Sequence, residues 1–146
     1  MEQIVWEIGE TAHALRRAFD RKAAALGITR AQWRVLAHLD HLPGQKQVEL
    51  AERMDIEPIT LCRIVDKLEE AALVERRRDP SDRRAWQLHL CAQAAPVVRK
   101  LHTLADEFSA EVFGNLNPAE IERASTLLAM VRGNLAGLAP RAKVSA

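Results

Sequence analysis

Residues 47–90 read QVELAERMDIEPITLCRIVDKLEEAALVERRRDPSDRRAWQLHL, and the hydrophobic period changes within them. Val48, Leu50, Ala51 and Met54 recur at helical spacing until Asp55-Ile56-Glu57 interrupts them. A second helical run opens with Pro58, whose missing N–H costs nothing in a first turn. It carries Leu61, Ile64, Val65 and Leu68 as far as Ala71 or Ala72. The period then falls to two. Residues 74–78 and 85–90 read as short strands, the second alternating Trp86, Leu88 and Leu90 with Gln87 and His89, around the turn-prone Asp79-Pro80-Ser81-Asp82.

Residues 47–66 fit a helix-turn-helix unit, whose helices need apolar side chains where they cross and a small one at closest approach. Leu50, Met54, Ile56, Leu61 and Ile64 meet the first need and Ala51 the second. Ile59, Thr60, Arg63 and Lys67 lie off this stripe and near one another by helical spacing, so they are expected to face outward. Such a face fits a major groove about 12 Å wide, where arginine reads guanine through its fork, threonine bonds a base edge or phosphate, and isoleucine meets a thymine methyl. Lys67, a turn further on, suits a phosphate. Arg76, Arg77, Arg78, Arg83 and Arg84 outnumber Asp79 and Asp82 in the hairpin, and a basic hairpin beside a recognition helix can enter the neighbouring minor groove.

Working outward, Ile4, Ile8, Ala12, Leu15, Ala18 and Phe19 form one apolar helix face that runs to Leu26 and ends at Gly27. Thr29 stands as N-cap of a helix of about 12 residues bearing Trp33, Leu36, Ala37 and Leu39 and closed by Pro43-Gly44. After Cys91 a long stripe runs from Val97 to Phe113. Asn117-Pro118 then opens a last helix carrying Ile121, Ala124, Leu127, Leu128, Val131 and Leu135, and the tail from Pro140 is expected to fray. The stripes of residues 4–19, 97–113 and 121–135 hold more apolar surface than one small bundle hides, which predicts a homodimer.

Composition sets bounds on function. The 146 residues suit one domain, and 21 basic against 20 acidic residues leave a formal net charge of +1, so DNA affinity would rest on placement instead of a broad basic field. Six glycines and six prolines are few for this length and favour helix. No stretch approaches the ~18 apolar residues of a membrane span, and the acidic MEQIVWEIGE start is unlike a leader, so a cytoplasmic, unprocessed protein is expected.

The runs LGITRAQWRVLAHL, QVELAERMDI and TLCRIVDKLEEAALVERRRDPSDRRAWQLHL resemble the MarR family of winged-helix transcriptional regulators across roughly residues 26–92. The resemblance implies a mainly α (α+β) fold. A winged helix-turn-helix lobe, residues 29–91, would stand between long flanking dimerisation helices, residues 1–28 and 92–138. It implies a homodimer on a pseudo-palindromic operator of double-stranded DNA, with half-sites about 34 Å apart. Pro58, Ile59, Thr60, Arg63 and Lys67 would meet the major groove, and the wing would contribute Arg78, Asp82, Arg83 and Arg84. In that family an Asp-x-Arg pattern braces an arginine for the minor groove, which matches Asp82 and Arg84; Arg83 becomes a phosphate contact or exposed filler. Relatives bind small aromatic or phenolic effectors between the dimerisation helices and the DNA-binding lobe, making His13, Phe19, Trp33 and Arg34 candidates. Where the family carries threonine after the second strand and glycine before the hairpin, this chain has Cys91, a poorer cap, and Ala72.

Blander readings stand beside these. Residues 47–66 could be two core helices of another bundle, the arginines a solvated turn, and Trp33 plain core. The chain could also be a winged-helix protein-interaction or dimerisation module without operator binding, against which Arg63, Lys67 and Arg84 argue. Cys62 and Cys91 form no C-x-x-C pair and read as packed thiols. His38 and His41 lack a third ligand, so neither metal nor cofactor is expected. No nucleophile elbow, phosphate-cradling loop or dinucleotide fingerprint occurs, so no enzyme is expected.

Overall fold

The structure, a computed structural model, describes residues 2–138; the tail expected to fray lies outside them. The elements run α1 (Glu2–Ala25), α2 (Arg30–His41), α3 (Gln47–Met54), α4 (Pro58–Glu70), β1 (Val74–Arg78), β2 (Trp86–Leu90), a 3-10 turn (Ala92–Ala94), α5 (Ala95–Phe113) and α6 (Pro118–Leu138). This is the mainly helical fold with one small hairpin that the sequence predicts. The chain divides into two compact units, one ending at Glu107 and one beginning at Phe108.

Local chemistry sets the helix ends. Thr29 Oγ1 accepts the Gln32 N–H at 3.2 Å while Gln32 Oε1 accepts the Thr29 N–H at 3.0 Å, a reciprocal capping box that opens α2. Three helices close with the same pair of backbone hydrogen bonds. After α1, Gly27 N–H reaches Ala24 O and Ile28 N–H reaches Ala23 O; after α3, Asp55 N–H reaches Glu52 O and Ile56 N–H reaches Ala51 O; after α4, Ala72 N–H reaches Glu69 O and Leu73 N–H reaches Leu68 O. This Schellman pattern puts one residue in the left-handed region, with φ of 77° at Gly27, 53° at Asp55 and 56° at Ala72. Asp tolerates that region through its short polar side chain. Ala72 has no such help, and it occupies the position where the family's glycine was expected.

The first unit's core gathers Val35, Leu36 and Leu39 of α2, Leu50 and Ala51 of α3, Leu61, Val65 and Leu68 of α4, and Val74 and Leu88 of the hairpin. Ala51 is buried within this cluster, while Ile56 and Ile64 pack half-buried against it. Each fully buried leucine here is worth about 1.5–3 kcal/mol relative to exposure. Ala23 of α1 and Leu101 and Leu104 of α5 join the same cluster, so the core reaches past both expected lobe boundaries, at 28 and at 91. His102 Nε2 meets Asp40 Oδ2 at 2.7 Å and ties α5 to α2.

β1 and β2 pair antiparallel, Val74 opposite Leu90 and Arg78 opposite Trp86. The segment after α2 pairs with the other edge of β2: Gly44 N–H donates to Leu88 O at 3.1 Å and Leu88 N–H to Gln45 O at 2.9 Å. Gly44 has φ of 76°, and an added Cβ would come within 3.2 Å of the His89 ring, so this close approach needs glycine. Cys91 N–H donates to Leu73 O at 2.9 Å and closes the hairpin's open end.

In the second unit Asn117 Oδ1 accepts the Glu120 N–H at 2.9 Å and Glu120 Oε2 accepts the Asn117 N–H at 2.8 Å, capping α6. No described residue of α6 is buried, and Leu127 and Leu135 are 52% and 59% exposed.

Candidate nucleic-acid interface

α3 and α4 present one outward surface because their apolar stripes are committed to the core. Arg34 of α2 fixes the unit from behind, donating from Nη2 to the Met54 carbonyl at 3.0 Å, the point where α3 ends. Burial, then the neighbouring Arg30 and Arg16, lower the Arg34 pKa; a guanidinium stays charged through such shifts. On α4, Leu61 and Val65 are fully buried, whereas Ile59 between the turn and the core is 62% exposed. Pro58, Thr60, Arg63 and Lys67 are exposed with it. The expected outward set is therefore one surface. Among the described residues neither Arg63 nor Lys67 has a carboxylate partner, and both line a shallow groove with Thr60 that reaches Thr29 and Gln32 at the start of α2.

The wing's five arginines divide by role. Arg76 is 13% exposed and lies 2.7 Å from Asp66 and 2.9 Å from Glu69 on α4. Burial opposes its charge, but the hydrogen bonds it donates to those carboxylates outweigh burial and raise its pKa. Arg77 pairs with Glu75. Arg78 lays its guanidinium 4.3 Å from the centre of the Trp86 ring, a cation–π contact, and donates to the Arg83 carbonyl at 2.6 Å. Arg83 and Arg84, both exposed at the tip, keep guanidinium groups with neither a carboxylate partner nor a ring contact among the described residues. The wing's two open cations thus stand at its tip.

The tip is organised by Asp79, which sequence reasoning took only as a turn former. Its Oδ1 accepts from Ser81 Oγ at 2.7 Å, Ser81 N–H at 2.8 Å and Asp82 N–H at 3.1 Å, and Oδ2 accepts from Gln87 Nε2 at 3.2 Å. These bonds, the Ser81 hydroxyl's first, hold the carboxyl well below the usual carboxylate range. The signal available in the sequence was Asp-x-Ser, an aspartate placed to bond backbone two residues on. Asp82 does brace Arg84, but through the main chain: its Oδ1 accepts the Arg84 N–H at 3.0 Å, and no Asp82–Arg84 side-chain ion pair occurs among the described residues.

The effector candidates are brought together only in part. Phe19 and Trp33 meet edge to face, centroids 4.8 Å apart, and Trp33 Nε1 donates to Asp20 Oδ1 at 2.8 Å. Arg34 is engaged with Met54, and His13 is exposed on α1. A separate groove of about 520 Å³ has Leu26, Pro96 and Leu104 on its floor and Arg99 and Lys100 on its rim. Cys62 is half-buried with Sγ 3.6 Å from Arg76 Nη2. Burial, then the Glu75 carboxylate, push the Cys91 thiol up, which disfavours the reactive thiolate. Burial, then Arg34, Arg53 and His41, lower the His38 pKa. Among the described residues no group of three or more potential ligands gathers around a metal position, and no helix is long and apolar enough to cross a membrane.

Two crossed helices followed by a β-hairpin, with apolar stripes turned in and cations turned out, define the winged helix-turn-helix class. The profile of the MarR family matches residues 28–86. The structure of the transcriptional regulator PA3341 is similar at 30% identity, covering 92% of this chain and 98% of that one with a TM-score of 0.81. Wild-type MarR from E. coli in its apo form is 27% identical over 84% of this chain and 94% of that one, TM-score 0.67. A MarR family regulator from Listeria monocytogenes complexed with 26mer DNA shares the fold at 20% identity, TM-score 0.79, over 94% of this chain and 91% of that one. The chain belongs to the MarR family; it is a transcriptional regulator, not an enzyme.

Proposed function

We propose that this regulator is a cytoplasmic homodimer that binds a pseudo-palindromic double-stranded operator and represses by occlusion. α4 enters the major groove with Ile59, Thr60 and Arg63 at base edges, Pro58 at the groove's lip and Lys67 on a phosphate. Arg84 enters the minor groove, Arg83 meets a phosphate, and Arg78 and Asp82 hold the tip in shape. The observation that carries this reading is the distribution of partners: among the described residues the cations on the outward α4 face and at the wing tip lack carboxylates, while Arg76 and Arg77 are paired. The DNA-complexed relative of the same fold supports it.

The dimer is assigned to α1 and α6 and the end of α5, whose exposed Ile4, Trp6, Phe113, Leu128 and Val131 need an apolar partner. A small aromatic effector beside Phe19 and Trp33, with His13 and Arg34 at the edge of that cluster, would release DNA by preferring a lobe spacing unlike the operator-bound one.

Fluorescence anisotropy on the DNA upstream of the gene, with a scrambled duplex as control at two salt concentrations, tests the reading. Affinity of about 10 nM or tighter with a marked preference over the scramble supports it. Equal weak binding to both, repeated on a duplex pool selected from random DNA, would leave the protein-interaction module. Sedimentation of the same sample at the mass of one chain would remove the dimer.

A further inference from the structure

Arg76 joins three elements at once. From β1 its Nη2 lies 2.7 Å from Asp66 Oδ1 and donates to the Cys62 carbonyl at 3.1 Å; Nη1 donates to Glu69 Oε1 at 2.9 Å, and Nε to Gln47 Oε1 at 3.0 Å. Its backbone N–H also donates to Glu69 Oε2 at 3.1 Å. Every guanidinium nitrogen is thereby used. Cys62, Asp66 and Glu69 form a stripe of α4 that adjoins the outward face of Ile59, Thr60, Arg63 and Lys67 by helical spacing. A planar fork bonded along that stripe and to the first residue of α3 fixes how α4 is rotated relative to the wing.

We propose that Arg76 is a positioning residue that registers the wing with the recognition helix, so that both grooves are engaged by one rigid body, and that it does not itself touch DNA. The inference rests on the DNA-binding reading above. Two further features support it. Arg76 is turned inward at 13% side-chain exposure while Arg83 and Arg84 are exposed. It also pairs with Asp66 and Glu69, 53% and 43% exposed, and offsets part of the negative charge that otherwise would stand beside the face offered to a polyanion. A lysine could supply the charge but not the fork, since an ammonium cannot bridge both carboxylates, Gln47 and the Cys62 carbonyl in that fixed geometry.

The test is epistasis, measured as anisotropy on an operator selected from random DNA. In the wild-type background Arg63→Ala and Arg84→Ala are each expected to weaken binding roughly tenfold. In an Arg76→Lys background the loss from Arg63→Ala should persist, because α4 still reads its groove. The loss from Arg84→Ala should shrink to within about twofold, because the wing is no longer held in register. General destabilisation would change both losses together. If Arg76→Lys fails to fold, Asp66→Asn with Glu69→Gln removes the clamp from its exposed side and should give the same pattern. An undiminished Arg84→Ala loss in the clamp variants, or full rescue of Arg76→Ala by Arg76→Lys, overturns the inference and leaves operator binding intact. A wild-type protein that enriches no sequence overturns the DNA-binding reading and this inference with it.

Discussion

Asp82 accepts the backbone N–H of Arg84 at 3.0 Å and, among the described residues, leaves the Arg84 guanidinium without a carboxylate. The aspartate therefore shapes the turn without taking up the charge that the turn displays. Arg84→Ala should weaken binding to every duplex and lower the slope of log K against log salt by about one. Asp82→Asn keeps an acceptor for the N–H and removes a negative charge from the tip, so its non-specific affinity should rise. A salt titration of both variants on operator and scrambled DNA checks the pair; a loss of affinity in Asp82→Asn would mean that the carboxylate's charge is needed at the tip.

Arg63 lies in the middle of the outward α4 face without a carboxylate partner among the described residues. Arg63→Ala is expected to cost about 1–3 kcal/mol of operator binding and to relax preference at one base pair per half-site. Selection profiles of the variant and the parent would reveal this directly. An equal loss on all sequences would make Arg63 a phosphate contact.

Ala72 holds φ of 56° at the end of α4, a conformation that costs a Cβ-bearing residue about 1–2 kcal/mol. Ala72→Gly should therefore stabilise the fold, by up to about 1 kcal/mol after the greater freedom of glycine in the unfolded chain is subtracted. Cys91 precedes the 3-10 turn with no side-chain cap, so Cys91→Thr should add up to about 1 kcal/mol more. Chemical denaturation midpoints at unchanged slope would measure both; no gain from Ala72→Gly would show that the left-handed residue is not strained.

Asp79 titrates below the ordinary carboxylate value of about 3.9, because the Ser81 hydroxyl, Ser81 and Asp82 amides and Gln87 all donate to it. A depressed folded-state pKa gives stabilisation that is complete above the unfolded value and is lost as pH falls through the folded one. The tip should accordingly keep its structure through mild acid and loosen only well below pH 3.9. The amide resonances of Ser81 and Asp82, followed by NMR from neutral pH downward, would test this. Collapse of their shifts between pH 6 and 5 would contradict it.

Much of this was legible beforehand because periodicity fixes faces. The burial of Leu61 and Val65 against the exposure of Ile59, Arg63 and Lys67 follows from spacing alone, and Thr29 and Asn117 announce their helices through reciprocal bonds only three residues long. Apart from Asp79, whose partners are local, the missed features depend on distance along the chain. Arg76 looked like one more charge of a basic hairpin, yet its partners lie 7 to 29 residues away. Trp33 and Arg34, the pocket candidates, also donate to Asp20 and Met54, 13 and 20 residues off. A sequence displays which side chains carry charge; which charges satisfy one another is decided only when separate elements meet.

Each of the hairpin's two outer margins is engaged at its central residue. Along β2 the peptide groups of Leu88 are satisfied by Gly44 and Gln45, and along β1 the outward N–H of Arg76 is taken by the Glu69 carboxylate. An open strand margin is an invitation to any other extended chain. Regulators crowded side by side on a duplex would present such margins to one another at high local concentration. Here the middle of each margin is already taken, which disfavours the zipping of neighbouring wings into a shared sheet.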